Sequence, residues 1–118
     1  MDAVVQRLTA AGVAHEPVRA GARQRPSGQT LRWKALSLRD DAGGLLPFFI
    51  EWSKDAVHPS VDARAGCRID RFELATPRAD DLRALAARLR LDVAVANAPQ
   101  TSLRAAVTGP KGKLSLPA

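Results

Sequence analysis

The sequence predicts an α+β fold built from two repeats, and three observations carry that prediction. Hydrophobic spacing changes between helical and strand-like periods in both halves of the chain. Each half runs in the order helix, strand, strand, strand. Short stretches also correspond: Thr30-Leu31-Arg32 matches Ser102-Leu103-Arg104, and Gly44 before Leu45-Leu46 matches Gly112 before Lys113-Leu114. The second half has a strand ahead of its helix, whereas the first begins at the helix. The expected organisation is one domain of 118 residues, with module one over 1–53, a linker over 54–66 and module two over 67–118.

Asp2 to Ala11 reads as a helix: Asp2 is a suitable cap, and Val4, Leu8 and Ala11 recur at helical spacing. Gly12 follows where a helix stop wants a left-handed residue. Val13 to Gln24 reads as extended, with poor alternation and with Arg19 and Arg23 along it. Arg25-Pro26-Ser27-Gly28 is a turn. Gln29 to Arg39 reads as a strand, with Leu31, Trp33 and Ala35 on one face and Arg32, Lys34 and Leu36 on the other. Asp40 to Gly44 is a hairpin-like loop.

The stretch Gly43 to Pro59 organises the chain. Its centre, Leu45 to Trp52, is nearly all apolar and holds two of the three phenylalanines and one of the two tryptophans. It reads as a strand buried on both faces. Leu46, Phe48, Ile50 and Trp52 share one face; Leu45, Phe49 and Glu51 share the other. A carboxylate buried unpaired in such a strand is costly, so Glu51 must meet water, a cation or a ligand. It is the chain's sharpest pointer to a site.

Ser53 to Gly66 is polar and reads as a linker. From Cys67 the second half begins, with Arg68 to Ala75 a strand whose Ile69, Arg71, Glu73 and Ala75 share a face. Thr76-Pro77 reads as a helix start with Thr76 as cap, and Asp80 and Asp81 suit the helix dipole. Leu82, Leu85, Ala86 and Leu89 form its apolar stripe. Leu91, Val93 and Val95 alternate as a strand, as do Leu103, Ala105 and Val107. Gly109-Pro110-Lys111-Gly112 turns into a last short strand, Lys113 to Leu116.

Composition narrows the function classes. The chain is 46% hydrophobic and 25% charged, ordinary for a soluble globular protein. No apolar run approaches the roughly 20 residues that span a bilayer, and the start lacks the pattern of a signal peptide. The single cysteine, Cys67, excludes an internal disulfide and suits a reducing, cytoplasmic setting. The net charge of +6 is compatible with solvated surface or with an anionic small ligand. Nucleic acid is not the expected partner: the basic residues are scattered, and no tyrosine is interleaved with them. There is no Ser-His-Asp grouping, phosphate-cradling glycine loop or paired cysteine motif.

Four motifs recur in order: Arg25-Pro26-Ser27-Gly28, Leu31-Arg32-Trp33, Leu46-Pro47-Phe48-Phe49-Ile50-Glu51-Trp52 and His58-Pro59-Ser60. Together they resemble the glyoxalase-like domain family of the vicinal oxygen chelate superfamily, which includes glyoxalase I, bleomycin-resistance proteins and extradiol dioxygenases. The resemblance covers about Asp2 to Ser60 well and the remainder in pattern. It implies two βαβββ modules, the first without its initial strand, whose curled mixed sheets surround a cleft with helices outside. Metal-dependent members of that superfamily carry His or Glu on the first strand and Glu on the last strand of each module. Glu51 matches one such position. Arg71 stands about where a metal-binding His would lie, and the last strand offers no acid. A divalent ion usually wants at least three protein ligands, so no metal or other cofactor is expected.

The expected function is small-molecule binding in a cleft lined by Glu51, with lyase or isomerase chemistry on a polar metabolite as its catalytic form. The rivals are a non-catalytic, ligand-sequestering protein of the bleomycin-resistance type and a partial domain that acts in dimerisation. Glu51 and His58 are the candidate catalytic residues. Arg32, Trp33, Phe49, Arg71 and Glu73 are the candidate ligand-binding residues. Each has a plainer alternative: Glu51 in a structural ion pair, His58 as a loop residue, Trp33 in the core, Arg32 exposed on its strand, Arg71 and Glu73 as a solvated pair. His15 reads as structural. The absent first strand leaves a sheet edge beside the organising strand, which predicts a homodimer.

Overall fold

Along the computed structural model, which describes residues 1–117, a helix and three strands are followed by a strand, a helix and three more strands. They fall into two units, Met1–Ala63 and Arg64–Ala118.

Unit 1 opens with α1 (Asp2–Ala10). Met1, not Asp2, is its N-cap, because the Met1 carbonyl already accepts the amides of Val4 and Val5. Asp2 instead supplies the acid in the first turn, where the helix dipole favours it. Leu8 is the helix's buried residue. Gly12 adopts φ +68°, the left-handed conformation expected after the helix. An isolated bridge joins His15 to Leu38 before the sheet begins.

The sheet holds β1 (Arg19–Gln24), β2 (Thr30–Leu36) and β3 (Phe49–Trp52) in that order, with antiparallel neighbours throughout. The turn between β1 and β2 is closed by the Arg25 amide on Gln29 and the Gly28 amide on Arg25, with Gly28 at φ +86°. Leu31 and Leu36 leave β2 on opposite faces and both are fully buried.

The organising stretch differs from the expected eight-residue buried strand. Asp40 and Asp41 side chains accept the amides of Ala42 and Gly44, and the Leu46 amide returns to the Asp41 carbonyl. Ala42, Gly43 and Gly44 all have positive φ. This closed loop takes up Leu45 and Leu46, which are buried without joining a ladder. Pro47 has no amide to donate, and pairing starts at Phe49 opposite Leu36. β3 is thus a four-residue edge strand that bonds β2 alone. Phe48 and Ile50 are exposed, so the strand is not buried on both faces.

Unit 2 contains β4 (Arg68–Thr76), α2 (Ala79–Leu89), β5 (Ala94–Asn97), β6 (Ser102–Gly109) and β7 (Gly112–Leu116). The sheet order is β5-β4-β6-β7. β4 and β5 are parallel, as a helical crossover between them requires; the other pairs are antiparallel. Thr76 does not cap α2. It ends β4 opposite Asn97, and the N-cap is Arg78. Thr76 Oγ1 still accepts the Arg78 amide at 3.3 Å. Leu82, Ala86 and Leu89 are buried, as the stripe predicts. β5 begins later than expected, because the Leu91 amide turns back to Ala86 at the helix end.

A bulge alters the expected face of β4. Ile69 lies opposite Val107 and Arg71 opposite Ala106, so Asp70 is the extra residue between them. Ile69 and Arg71 therefore leave the sheet on opposite faces, while Arg71 and Glu73 remain on one. The repeat holds at its first match, since Thr30 opens β2 and Ser102 opens β6. It fails at the second: Gly112 opens β7, whereas Gly44 belongs to a loop. No helix among the described residues is long and apolar enough to cross a membrane.

Candidate functional site

The strand register of unit 1 sets one row across its sheet. Gly21 lies opposite Trp33, and Trp33 lies opposite Trp52. A hollow of about 410 Å³ is centred on this row and takes in the residue on either side of each member, 20–22, 32–34 and 51–53.

Trp33 owes its position to a missing side chain. A Cβ on Gly21 would stand 2.5 Å from Trp33 Cε2 and Nε1 and 2.7 Å from Cζ2. The indole thus lies over the Gly21 backbone, an approach only glycine permits. Trp52 packs beside it, with ring centroids 5.5 Å apart and planes tilted by 59°. His58 meets Trp52 edge-on at 5.8 Å. Its Nδ1 accepts the Ser60 amide at 3.1 Å and lies 2.7 Å from the Ser60 hydroxyl. His58 therefore backs one wall and does not line the hollow. The loop carrying it is tied down by Arg25, which pairs with Asp62 and donates to the Val57 carbonyl at 3.4 Å.

The charged residues flanking this row alternate with it, so their side chains leave the opposite face of the sheet from Trp33 and Trp52. Lys34 stands opposite both Ala20 and Glu51, and Arg32 stands opposite Ala22. Glu51 is about half exposed and pairs with the Met1 amino group. The partner of the sequence's conspicuous acid is thus an ammonium group at the start of α1. Among the described residues neither Arg32 nor Lys34 forms an ion pair. The Ser53 hydroxyl is buried and leans toward the Asp55 carboxylate without a well-formed hydrogen bond. That hydroxyl, the Asp55 backbone amide and the field of Arg32 hold the Asp55 carboxyl below the usual range. Phe49, opposite Leu36, lies outside the hollow and is half-buried.

Arg71 and Glu73 belong to unit 2. Arg71 bonds Glu73 Oε2 at 2.5 Å, and Arg104, the cross-strand neighbour of Glu73, reaches Oε1 at 3.5 Å. Glu73 is 7% exposed. The Arg71 hydrogen bond, aided by the fields of Arg71 and Arg104, holds its carboxyl below the usual range against the opposing effect of burial. Asp70 is likewise held low, first by the Thr108 hydroxyl and then by Arg68. The described residues contain no group of three or more His, Cys, Asp or Glu able to hold a metal ion.

Sequence reasoning reached Arg32, Trp33 and Glu51 but missed Gly21, Lys34, Trp52 and Ser53 as lining residues. Gly21 did carry a signal, since a glycine inside a strand marks a close approach. Lys34 and Trp52 carried none: only the β2–β3 register brings them beside Glu51 and Trp33.

A family model described as a glyoxalase-like domain matches residues 1–90. The chain belongs to the glyoxalase-like domain family. It is thereby a member of the vicinal oxygen chelate superfamily. No curated protein and no solved structure matches it. In this glyoxalase-like domain the matched residues include all of unit 1, with its hollow, and continue through β4 and α2.

Proposed function

We propose that this glyoxalase-like domain binds a small molecule in the hollow of unit 1. One observation carries the reading: a cavity of about 410 Å³ gathers both tryptophans of the chain, two cations and a carboxylate around a glycine. That volume lies within the range of about 300–1,000 Å³ typical of ligand sites. Trp33 and Trp52 serve as the flat apolar wall on one face of the sheet; Arg32, Lys34 and Glu51 leave the other face, where Glu51 is the group that could take a proton from a bound metabolite. Arg71 and Glu73 belong to unit 2, are not among the lining residues of this hollow, and bond each other.

Non-catalytic sequestration is the second reading, and two observations favour it over a lyase or isomerase. Glu51 is occupied by an ammonium group, and the Nδ1 of His58 is turned to Ser60. The reading assigns no metal: Glu51 is the one carboxylate among the lining residues, and a divalent ion wants at least three protein donors. A stoichiometric divalent ion in elemental analysis would overturn that assignment.

A second copy of the chain is the proposed protein partner. Among the described residues no strand lies beside the outer edge of β3. In unit 2 the register sets Ile69, Phe72, Leu103, Leu114 and Leu116 on one face, and all five are exposed. Open edges and contiguous apolar faces both favour association. Light scattering at tens of micromolar should give a dimer mass; a monodisperse monomer would refute it.

The deciding experiment is a thermal-shift screen of metabolites against wild type and Glu51→Gln, since a ligand bound only by the folded state raises Tm. A ligand that protects both proteins but is turned over only by wild type establishes the enzyme. A ligand bound without turnover establishes the binder. A screen in which nothing raises Tm would overturn the reading.

A further inference from the structure

We infer that unit 2 carries an anion site of its own, a clamp of Arg71 and Arg104 organised by Glu73 that takes a phosphate dianion, free or as a small ester. It does not depend on the hollow of unit 1. The two guanidinium groups converge on one carboxylate: Arg71 bonds Glu73 Oε2 at 2.5 Å, and Arg104 reaches Oε1 at 3.5 Å. Their side chains are 69% and 47% exposed, whereas that of Glu73 is 9% exposed. The acid is thus the inner anchor and the cations form the outer surface. A guanidinium has five N–H donors, and Glu73 engages one nitrogen of each. Both forks therefore keep donors for a second oxyanion, and an arginine fork matches phosphate geometry.

Strand register places these groups on one face. Arg71 and Glu73 are two positions apart on β4, Glu73 lies opposite Arg104, and Arg71 lies opposite Ala106. Ala106 in turn lies opposite Ser115, two positions after Lys113 on β7. The Ala106 methyl is therefore a low floor, with Arg71 and Ser115 at its sides, Arg104 next along β6 and Lys113 on the diagonal. Phe72, Leu103 and Leu114 leave the other face.

Charge favours a dianion. Arg71, Arg104 and Lys113 stand against Glu73, three cations to one acid, an excess of two. Arg68 and Asp70 pair with each other and cancel. Lys113 lies in the field of Asp70, but among the described residues it forms no ion pair. A phosphate group carries close to two negative charges at neutral pH, whereas a carboxylate carries one.

The test is NMR on the 15N-labelled chain at constant ionic strength, with inorganic phosphate, phenyl phosphate and acetate as millimolar probes. Both phosphates should shift the amides of Arg104, Ala106 and Ser115 saturably, and acetate should bind about tenfold more weakly. Phenyl phosphate as the tighter probe assigns an ester as the source; inorganic phosphate equal or tighter assigns the free ion. Arg104→Gln should weaken phosphate by about tenfold or more. If that variant loses its dispersed spectrum, the exposed Lys113→Gln carries the charge test, with a loss of about threefold. Glu73→Gln should also weaken phosphate, although it removes an acid, because the guanidinium groups lose their anchor.

Tighter binding by Glu73→Gln would show that the arginines act as loose charges and would overturn the clamp. Unmoved amides, acetate matching phosphate, or phosphate indifferent to Arg104→Gln and Lys113→Gln would overturn the inference altogether. So would phosphate shifts confined to the indole N–H signals of Trp33 and Trp52, which belong to unit 1. The binding reading of the unit 1 hollow stands or falls separately, on its metabolite screen.

Discussion

Replacing Gly21 by alanine tests the geometry on which the site depends. The new Cβ would meet three indole atoms of Trp33 at 2.5–2.7 Å, whereas carbon atoms rest comfortably at roughly 3.5–4.0 Å. The ring must therefore retreat by about 1 Å, and Trp52, centred 5.5 Å away, limits where it can go. Overpacking of this kind costs roughly 1–3 kcal/mol. Exchanging glycine for alanine in a strand offsets about 0.5–1 kcal/mol by restricting the unfolded chain. The net expectation is a destabilisation of about 1–2 kcal/mol. Urea unfolding followed by far-UV circular dichroism measures it without relying on tryptophan emission. The same substitution in a Trp33→Leu background should be neutral or stabilising, because the obstructing ring is gone, so the two positions should be strongly coupled. Gly21→Ala within about 0.5 kcal/mol of wild type, irrespective of residue 33, would show that the indole does not lie over this backbone.

Three further outcomes follow from the same structure. Leu31 has 0% exposure, and Leu31→Ala should cost about 2–5 kcal/mol in urea unfolding. Arg90 ends α2 at φ +55°, so Arg90→Gly should relieve a left-handed conformation and raise stability by about 0.5–1 kcal/mol, read as a higher urea midpoint. Glu73 and Asp70 have folded pKa values below their unfolded ones. Their stabilising effect is present above the unfolded value of roughly 4 and is lost as pH falls through the lower folded values. Tm should therefore decline on acidification below about pH 4, and Glu73→Gln should flatten that decline; an identical decline in the variant would refute the role given to the Arg71–Glu73–Arg104 group.

Much of the fold was legible because it rests on short-range rules. Leu82, Ala86 and Leu89 declare a helix by spacing, and Gly12 and Gly28 declare the chain reversals by their need for positive φ. The order of elements and their division into two similar runs follow from such signals. The site was legible only in part. Arg32, Trp33 and Glu51 stand out by residue type, but which residues gather beside them depends on register.

Tertiary structure alone decided the rest. The apolar run at Leu45–Trp52 could be read as one buried strand, because local apolarity does not say whether a residue is covered by a ladder or by a loop. Asp40, Asp41 and Pro47 divide it, leaving Leu45 and Leu46 inside a turn and Ile50 in solvent. A single extra residue, Asp70, turns Ile69 away from Arg71, and no periodicity count detects a bulge. The hollow itself arises from the opposition of Gly21, Trp33 and Trp52. Side chains distant in sequence meet only through the backbone hydrogen bonds that align their strands, so composition and spacing name the participants while register determines their company.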